Sequence, residues 1–185
     1  MMKYIGTMVL MVTILLLSAP VTAGQDDPRL NQLFASLLKF DNGLAAKPVE
    51  DKIWKIWLEN KNSPVQLILH QGIQAMNTGR LQHALRAFNE VVEMEPNFAG
   101  GWNKRATVYY LMQDFPASVK DIAQTLRLEP RHFGALSGLG LINAALGRHQ
   151  AALKAFEQAI TIHPQMRGAR QHIKILKELL KGEET

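Results

Sequence analysis

Residues 99–132 read AGGWNKRATVYYLMQDFPASVKDIAQTLRLEPRH, and the pattern of this segment recurs on both sides of it at an interval of 34 residues. The interval is plainest in three prolines, Pro96, Pro130 and Pro164. Other positions agree in size and polarity across three consecutive units, which span residues 65–98, 99–132 and 133–166. A period of this length predicts an array of stacked units, each of which is too small to bury its apolar face alone.

The repeating positions carry the residue types that a pair of packed helices needs. Small residues in both helices of a unit let the two backbones approach closely. They are Gly72, Ala106 and Gly140 in the first helices and Ala84, Ser118 and Ala152 in the second helices. A large apolar residue follows four places later and fills the space between the helices. It is Phe88, Ile122 or Phe156, while Ile68, Trp102 or Leu136 opens each unit and the proline ends its second helix.

With this register, the chain resembles the tetratricopeptide repeat family, whose unit is a helix–turn–helix of 34 residues. The resemblance implies an all-α fold, an α-solenoid of three helical hairpins. One departure is Gln113, which stands where the other two units have Gly79 and Gly147 in the turn.

The flanking segments are expected to extend the same stack. Residues 24–64 are predicted to form a degenerate helical pair that caps the N-terminal end, with a hinge into the first repeat. Residues 167–185 are predicted to form a C-terminal capping helix. In that helix Lys174 takes the repeat position of the small residue, which predicts that no second helix packs there and that the cap faces solvent.

Residues 1–23 carry the pattern of an export signal. Lys3 precedes an uncharged apolar stretch from Tyr4 to Ala19, and Val21-Thr22-Ala23 places small residues where a signal peptidase reads. The stretch is shorter than the ~20 residues with which a helix crosses a bilayer. We expect cleavage after Ala23, with an uncleaved membrane anchor as the alternative, and either outcome leaves the remaining chain outside the cytoplasm. The lack of cysteine favours a bacterial periplasm over the eukaryotic secretory route.

The sequence contains no constellation typical of an active site or a metal site. The lack of cysteine excludes disulfides, thiolate ligands and a cysteine nucleophile. The six histidines show no zinc-ligand spacing, and we expect them at the surface or between repeats. A net charge of +5 falls short of a nucleic-acid footprint unless it is clustered. We therefore expect neither an enzyme nor a cofactor; the enzymatic alternative would need His132 or His163 on the convex loops.

Positive charge collects around the second repeat. Arg105 falls within the apolar rhythm of its helix, where a charge needs a partner, and Asp121 is the natural candidate. A structural salt bridge between the two is the prediction, and a ligand contact is the alternative. Lys104, Arg127 and Arg131 are expected to form a solvated surface, with an anion-binding patch as the alternative.

In the tetratricopeptide repeat family the first helix of each pair lines a concave face that binds peptides. Carried over position by position, this lining is Leu69, Ile73 and Met76, then Asn103, Thr107 and Tyr110, then Ser137, Leu141 and Ala144. It lacks the Lys, Asn and Arg set with which some members clamp a C-terminal carboxylate. A mainly apolar lining suits an amphipathic helix or an extended apolar peptide. The alternative is that the N-terminal helix or the tail of the chain itself fills the groove.

These observations predict a non-enzymatic adaptor or scaffold of the bacterial periplasm that binds a protein partner of unknown identity, and no nucleic acid. The alternative is association with a membrane surface or an anionic polymer through the basic face of the last helix. That face carries Arg170, Lys174, Lys177 and Lys181. A homo-oligomer is an open possibility, because Trp54 and Trp57 would form a dimer face if the first repeat left them exposed.

Overall fold

The computed structural model describes residues 24–183, and the predicted export signal lies outside these described residues. Within them, a 3-10 turn at Gly24–Asp26 precedes nine α-helices and no strand occurs, which confirms the all-α prediction. The helices are α1 (Arg29–Leu37), α2 (Gly43–Trp57), α3 (Ser63–Asn77), α4 (Leu81–Met94), α5 (Ala99–Leu111), α6 (Phe115–Leu128), α7 (Phe133–Ala145), α8 (His149–Ile162) and α9 (Arg167–Glu183).

Helices α3 to α8 form the three predicted hairpins of an α-solenoid. We call α3, α5 and α7 the inner helices and α4, α6 and α8 the outer helices. Each inner helix packs on its own outer helix, and each outer helix packs on the next inner helix. Helix α9 packs on α8 in the same way, as the inner helix of a fourth repeat would.

The first and third hairpins close through a glycine that meets an aromatic ring. A Cβ atom at Gly72 would lie 2.5 Å from the ring of Phe88, and one at Gly140 would lie 2.8 Å from the ring of Phe156. Both distances are shorter than a carbon–carbon contact, so neither position has space for a side chain. The two crossings use the same repeat positions.

The second hairpin closes through a different pair at those positions. Ala106 and Ile122 lie in one buried cluster, where the aliphatic side chain leaves space for the alanine methyl group. Ser118 replaces the alanine of the other two hairpins, and its hydroxyl donates a hydrogen bond to the carbonyl oxygen of Ala106 at 2.8 Å. The change from glycine to alanine is therefore matched by a smaller partner across the helix contact.

Helices α1 and α2 form a hairpin, but the expectation that it caps the first repeat is wrong. Leu67 of α3 has the repeat position of Gly101, which touches Val91 of the preceding outer helix. Leu67 is 60% exposed, so no helix within residues 24–183 covers that face. The buried side chains of the N-terminal hairpin instead share a cluster with Phe133, at the start of α7.

Helix α2 lies across the ends at which the inner helices begin. Its two tryptophans make the closest contacts. A Cβ atom at Gly100, in the first turn of α5, would lie 2.2 Å from the carbonyl oxygen of Trp57. A Cβ atom at Gly134, in the first turn of α7, would lie 2.3 Å from the ring of Trp54. The two glycines therefore leave the space in which α2 sits.

Contacts continue toward the start of α9. A carboxylate oxygen of Glu50 lies 3.3 Å from Nε2 of His163, at the end of α8. The side-chain amide of Gln165 donates a hydrogen bond to the carbonyl oxygen of Phe40 at 2.8 Å. The N-terminal hairpin thus spans the second repeat, the third repeat and α9 along one edge of the solenoid.

The tryptophans do not form the exposed dimer face that the sequence left open. Trp57 is only 1% exposed and stacks on His132, with the ring centroids 3.9 Å apart. Nδ1 of His132 accepts a hydrogen bond from the amide of Ala135 and so caps α7. Burial lowers the pKa of His132 to about 3, and the nearby charge of Lys104 acts in the same direction.

The three turns inside the hairpins share a left-handed backbone conformation. Gly79 and Gly147 have φ angles of 72° and 68°, and Gln113 has a φ angle of 61° at the corresponding position. A residue with a Cβ atom is strained in this region, whereas glycine is not. The second repeat therefore keeps the turn geometry of the other two repeats at a conformational cost.

We predict that Gln113→Gly raises the free energy of unfolding by about 0.5–1 kcal/mol, because it removes this strain. Urea denaturation followed by circular dichroism measures the change. The reverse substitution, Gly147→Gln, is the matched control and lowers the stability by a similar amount. A destabilised Gln113→Gly variant would contradict the turn geometry.

We also predict that the N-terminal hairpin interface loses stability in acid. The folded protein keeps His132 neutral, whereas the unfolded chain takes up a proton below a pKa of about 6.5. The free energy of unfolding therefore falls as the pH drops below this value, by about 1.4 kcal/mol per pH unit for this one group.

The variant His132→Asn separates this contribution from that of all other groups. Asparagine keeps a side-chain acceptor at the start of α7 and does not titrate. We expect denaturation between about pH 7 and about pH 5 to show that the free energy of unfolding falls less steeply in the variant than in the parent protein. Parallel curves would mean that His132 is not buried in neutral form.

Candidate functional site

A pocket of about 380 Å³ opens between the inner helices α5 and α7. Five of the predicted groove residues line it, namely Asn103, Thr107, Tyr110, Ser137 and Leu141. They belong to the second and third repeats, and they combine hydroxyl and amide groups with apolar surface. The structure therefore brings together five of the six predicted lining residues of the second and third repeats.

The first repeat does not contribute its predicted lining to this pocket. Leu69 is fully buried in a core cluster with Phe88, so its side chain is inaccessible to a ligand, and its assignment to the groove is corrected. Ile73 and Met76 pack against the same cluster. Leu58, directly after α2, also packs against this cluster.

Ala144 likewise lies outside the pocket. It packs against the cluster that contains Phe156 and the buried side of α9. The end of α7 is therefore occupied with internal contacts, and the pocket is restricted to the first three turns of the helix.

Among the lining residues that the groove prediction missed, Trp54 and Lys104 add an aromatic ring and a positive charge. Trp54 of α2 forms one of its walls, although α2 lies outside the repeats. Lys104 also lines it, with Nζ 5.8 Å from the centroid of the Trp54 ring. Burial lowers the pKa of Lys104. Within residues 24–183 no carboxylate pairs with this ammonium group, which leaves it available to an anionic group of a ligand.

The signals for these two residues in the sequence are weak. Lys104 directly follows Asn103, a predicted groove position, but an isolated lysine on a helix most often faces solvent. Trp54 lies before the repeats. The interval of 34 residues aligns it with Phe88, which packs against α3 and not against α5 or α7. Only the contacts of α2 show that Trp54 reaches the pocket.

Arg105 lies outside the pocket and forms the predicted salt bridge. Its guanidinium group donates hydrogen bonds to both carboxylate oxygens of Asp121 at 2.7 and 2.9 Å. A third bond of 2.9 Å reaches Asn89 on α4, and the guanidinium group lies 4.7 Å from the ring centroid of Trp102. With Asn89, the pair joins three successive helices, and the hydrogen bonds that Arg105 donates to Asp121 raise the pKa of Arg105.

The other positive charges of the second repeat do not form one patch. Arg131 donates hydrogen bonds to the carboxylate of Glu129 and to Asn31 of α1, and it lies 4.3 Å from the ring centroid of Phe34. It therefore fastens the N-terminal hairpin to the turn before α7. Arg127 bonds to Gln124 on its own helix.

The structure places His132 and His163 beneath the N-terminal hairpin, not on the convex loops. Between residues 24 and 183, no three acidic or histidine side chains are grouped so that they could hold a metal ion. No helix in this described range has the length and apolar character needed to cross a membrane.

Comparison with known proteins relates this geometry to other chains. The sequence profile of the tetratricopeptide repeat matches residues 103–167. A TPR repeat-containing protein of Rhizobium etli is 34% identical over 157 residues, which cover 85% of this chain and 77% of that protein.

Solved structures share the fold at lower sequence identity. The first TPR of Spaghetti (RPAP3), bound to an HSP90 peptide, matches with a TM-score of 0.61 and 18% identity over 63% of this chain and 93% of that one. A crystal structure of MamA matches with a TM-score of 0.58 and 21% identity over 80% of this chain and 82% of that one. From the repeat register, the solenoid and the relative in Rhizobium etli together, it follows that the chain belongs to the tetratricopeptide repeat family.

Proposed function

We propose that this protein is a non-enzymatic interaction module that holds a segment of a partner protein in the groove between α5 and α7. The observation that carries the proposal is the open pocket of about 380 Å³ between these helices. The N-terminal hairpin lies along the edge of the solenoid and contributes one wall through Trp54. This position favours an external ligand over occupation of the groove by the N-terminal helices.

The pocket lining suits a particular kind of peptide. Trp54 and Leu141 offer apolar surface, Tyr110 and Asn103 offer hydrogen-bonding groups, and Lys104 offers a positive charge. A pocket of mostly apolar character with a few polar groups fixes the orientation of its ligand through those groups. We infer that the bound segment presents a large apolar side chain next to an acidic one.

The repeat register extends the proposed groove to α9. Ile175 takes the repeat position of Thr107 and Leu141, and it is 48% exposed. Three inner helices in a row thus offer side chains at one register position. A bound helix or extended strand that crosses them would contact each in turn.

The fold of the relatives supports this role. In the Spaghetti (RPAP3) structure, a domain of the same fold is bound to a peptide of HSP90. That ligand belongs to a different protein, and its likeness to this chain concerns the fold alone. It supports the view that a solenoid of this size suffices to hold a peptide.

We further propose that the protein acts as an adaptor or scaffold in the bacterial periplasm. The apolar stretch before Ala23 and the lack of cysteine support this location. An uncleaved stretch would tether the solenoid to the membrane, and a cleaved one would release it, so both forms present the groove on the same side.

A pocket-filling substitution tests the groove. We expect peptides selected on the purified protein from a displayed random library to combine an apolar and an acidic side chain. Ser137→Phe fills the pocket and should weaken their binding at least tenfold, which corresponds to about 1.4 kcal/mol. Fluorescence anisotropy of a labelled selected peptide gives the affinities.

The matched control is Ser63→Phe, which places the same side chain at an exposed position at the start of α3. It should leave the affinity unchanged, and both variants should melt at the temperature of the parent protein. Selected peptides that bind the Ser137→Phe variant as tightly as the parent would contradict the groove assignment.

A further inference from the structure

Helix α9 is an inner helix without an outer partner in the described part of the chain. Each earlier inner helix is covered by the outer helix that follows it. A groove of about 760 Å³ runs between α8 and α9 at the corresponding place. We call it the terminal groove, and its lining includes Leu153, Ile160, Ile173, Lys174, Lys177 and Leu180.

The repeat register shows what this groove is shaped to hold. Leu126 of α6 and Ile162 of α8 line a common pocket, so the outer helices of the second and third repeats are neighbours there. Ile160 takes the position of Leu126 one repeat later, and it lines the terminal groove. The terminal groove is therefore the place that a further outer helix would occupy.

The terminal groove differs in its charge from the surfaces on which the outer helices α4, α6 and α8 pack. Its floor is apolar, but lysines stand along its rim. Lys177 pairs with Glu157 at 2.9 Å across the solvent-exposed side, and Lys181 pairs with Glu178 at 3.0 Å on α9 itself. Lys174 is exposed, and no carboxylate within residues 24–183 pairs with it. Helix α9 carries five Lys and Arg residues against two Glu residues.

Lys174 stands where the third repeat has Gly140. In that repeat the ring of Phe156 presses on the glycine. A helix with an aromatic residue at this place would have to bury the ammonium group of Lys174 without a partner, which is costly. A helix with a carboxylate there would form an ion pair on an otherwise apolar contact.

We propose that the terminal groove docks an acidic amphipathic helix of a partner protein, which completes a fourth repeat in trans with a carboxylate on Lys174. This surface is separate from the groove between α5 and α7, and the proposal does not depend on the function assigned there.

The charge of the terminal groove disfavours one other occupant, and its shape disfavours a second. A second copy that paired α9 with α9 would bring like charges together, at an energetic cost. An anionic membrane would be attracted by the same lysines, but Ile173 and Leu176 are packed against α8 and cannot insert into a bilayer. A helix reaches the recessed floor, whereas a flat surface does not.

Two helix probes that differ at one residue, which is apolar in one and acidic in the other, test the proposal. Both probes are stapled peptides with the sequence of α8, residues 149–162, because the staple supplies the helicity that so short a peptide lacks in water. One keeps phenylalanine at the position of Phe156, and the other carries Phe156→Glu. We expect the protein to bind the glutamate probe at least tenfold more tightly than the phenylalanine probe in fluorescence anisotropy.

The variant Lys174→Ala should abolish or invert this preference, because alanine restores the small residue that Ala106 supplies in the second repeat. The control Lys120→Ala removes an exposed lysine of α6 and should keep the preference. Equal binding of both probes, binding of neither, or an unchanged preference in Lys174→Ala would overturn the proposal.

Vesicles of phosphatidylglycerol distinguish the membrane alternative. We expect little co-sedimentation with them at physiological salt. The docking proposal fails if three results occur together: the protein sediments with the vesicles, Lys174→Ala releases it, and the glutamate probe does not compete. The basic face would then be a membrane contact.

Discussion

The close approach of α2 to the glycines that begin α5 and α7 sets the shape of this molecule. A repeat solenoid normally holds together through contacts between neighbours alone, so its curvature is soft. Here the ring of Trp54 and the backbone of Trp57 place one helix against the starts of two inner helices, and Glu50 extends the contact to the end of α8. The N-terminal hairpin therefore fixes the relative position of units that the repeat pattern leaves free to bend.

The candidate groove depends on that arrangement. Trp54 forms a wall of the pocket and lies beside Lys104, so the only cation of the pocket lining is held by a residue from outside the repeats. A change that lifted α2 away would open the pocket and return Lys104 to solvent. At the other end, no outer helix in the described part of the chain packs on the free side of α9. Of the two proposed binding surfaces, the hairpin shapes the first and the repeat itself shapes the second.

The sequence predicts the parts of this structure that recur at its interval. The crossings at Gly72 and Gly140 and the bond between Arg105 and Asp121 lie within one repeat, so the register suffices to find them. The sequence does not predict where the N-terminal hairpin packs. Its contacts join residues far apart in the chain, such as Gln165 and Phe40, and the repeat interval does not relate them. Leu69 is misassigned because the register gives its place on the helix but not its burial in the cluster with Phe88.

Nuclear Overhauser contacts of the Trp54 ring test the account most directly. If α2 lies across the inner helices, the indole protons of Trp54 will show strong contacts to the α protons of Gly134 and to the ring of Phe133. The α protons of Gly134 will also be shifted by the ring current of the indole. Contacts from Trp54 to Leu67 of α3 instead would place the hairpin on the first repeat and contradict the account.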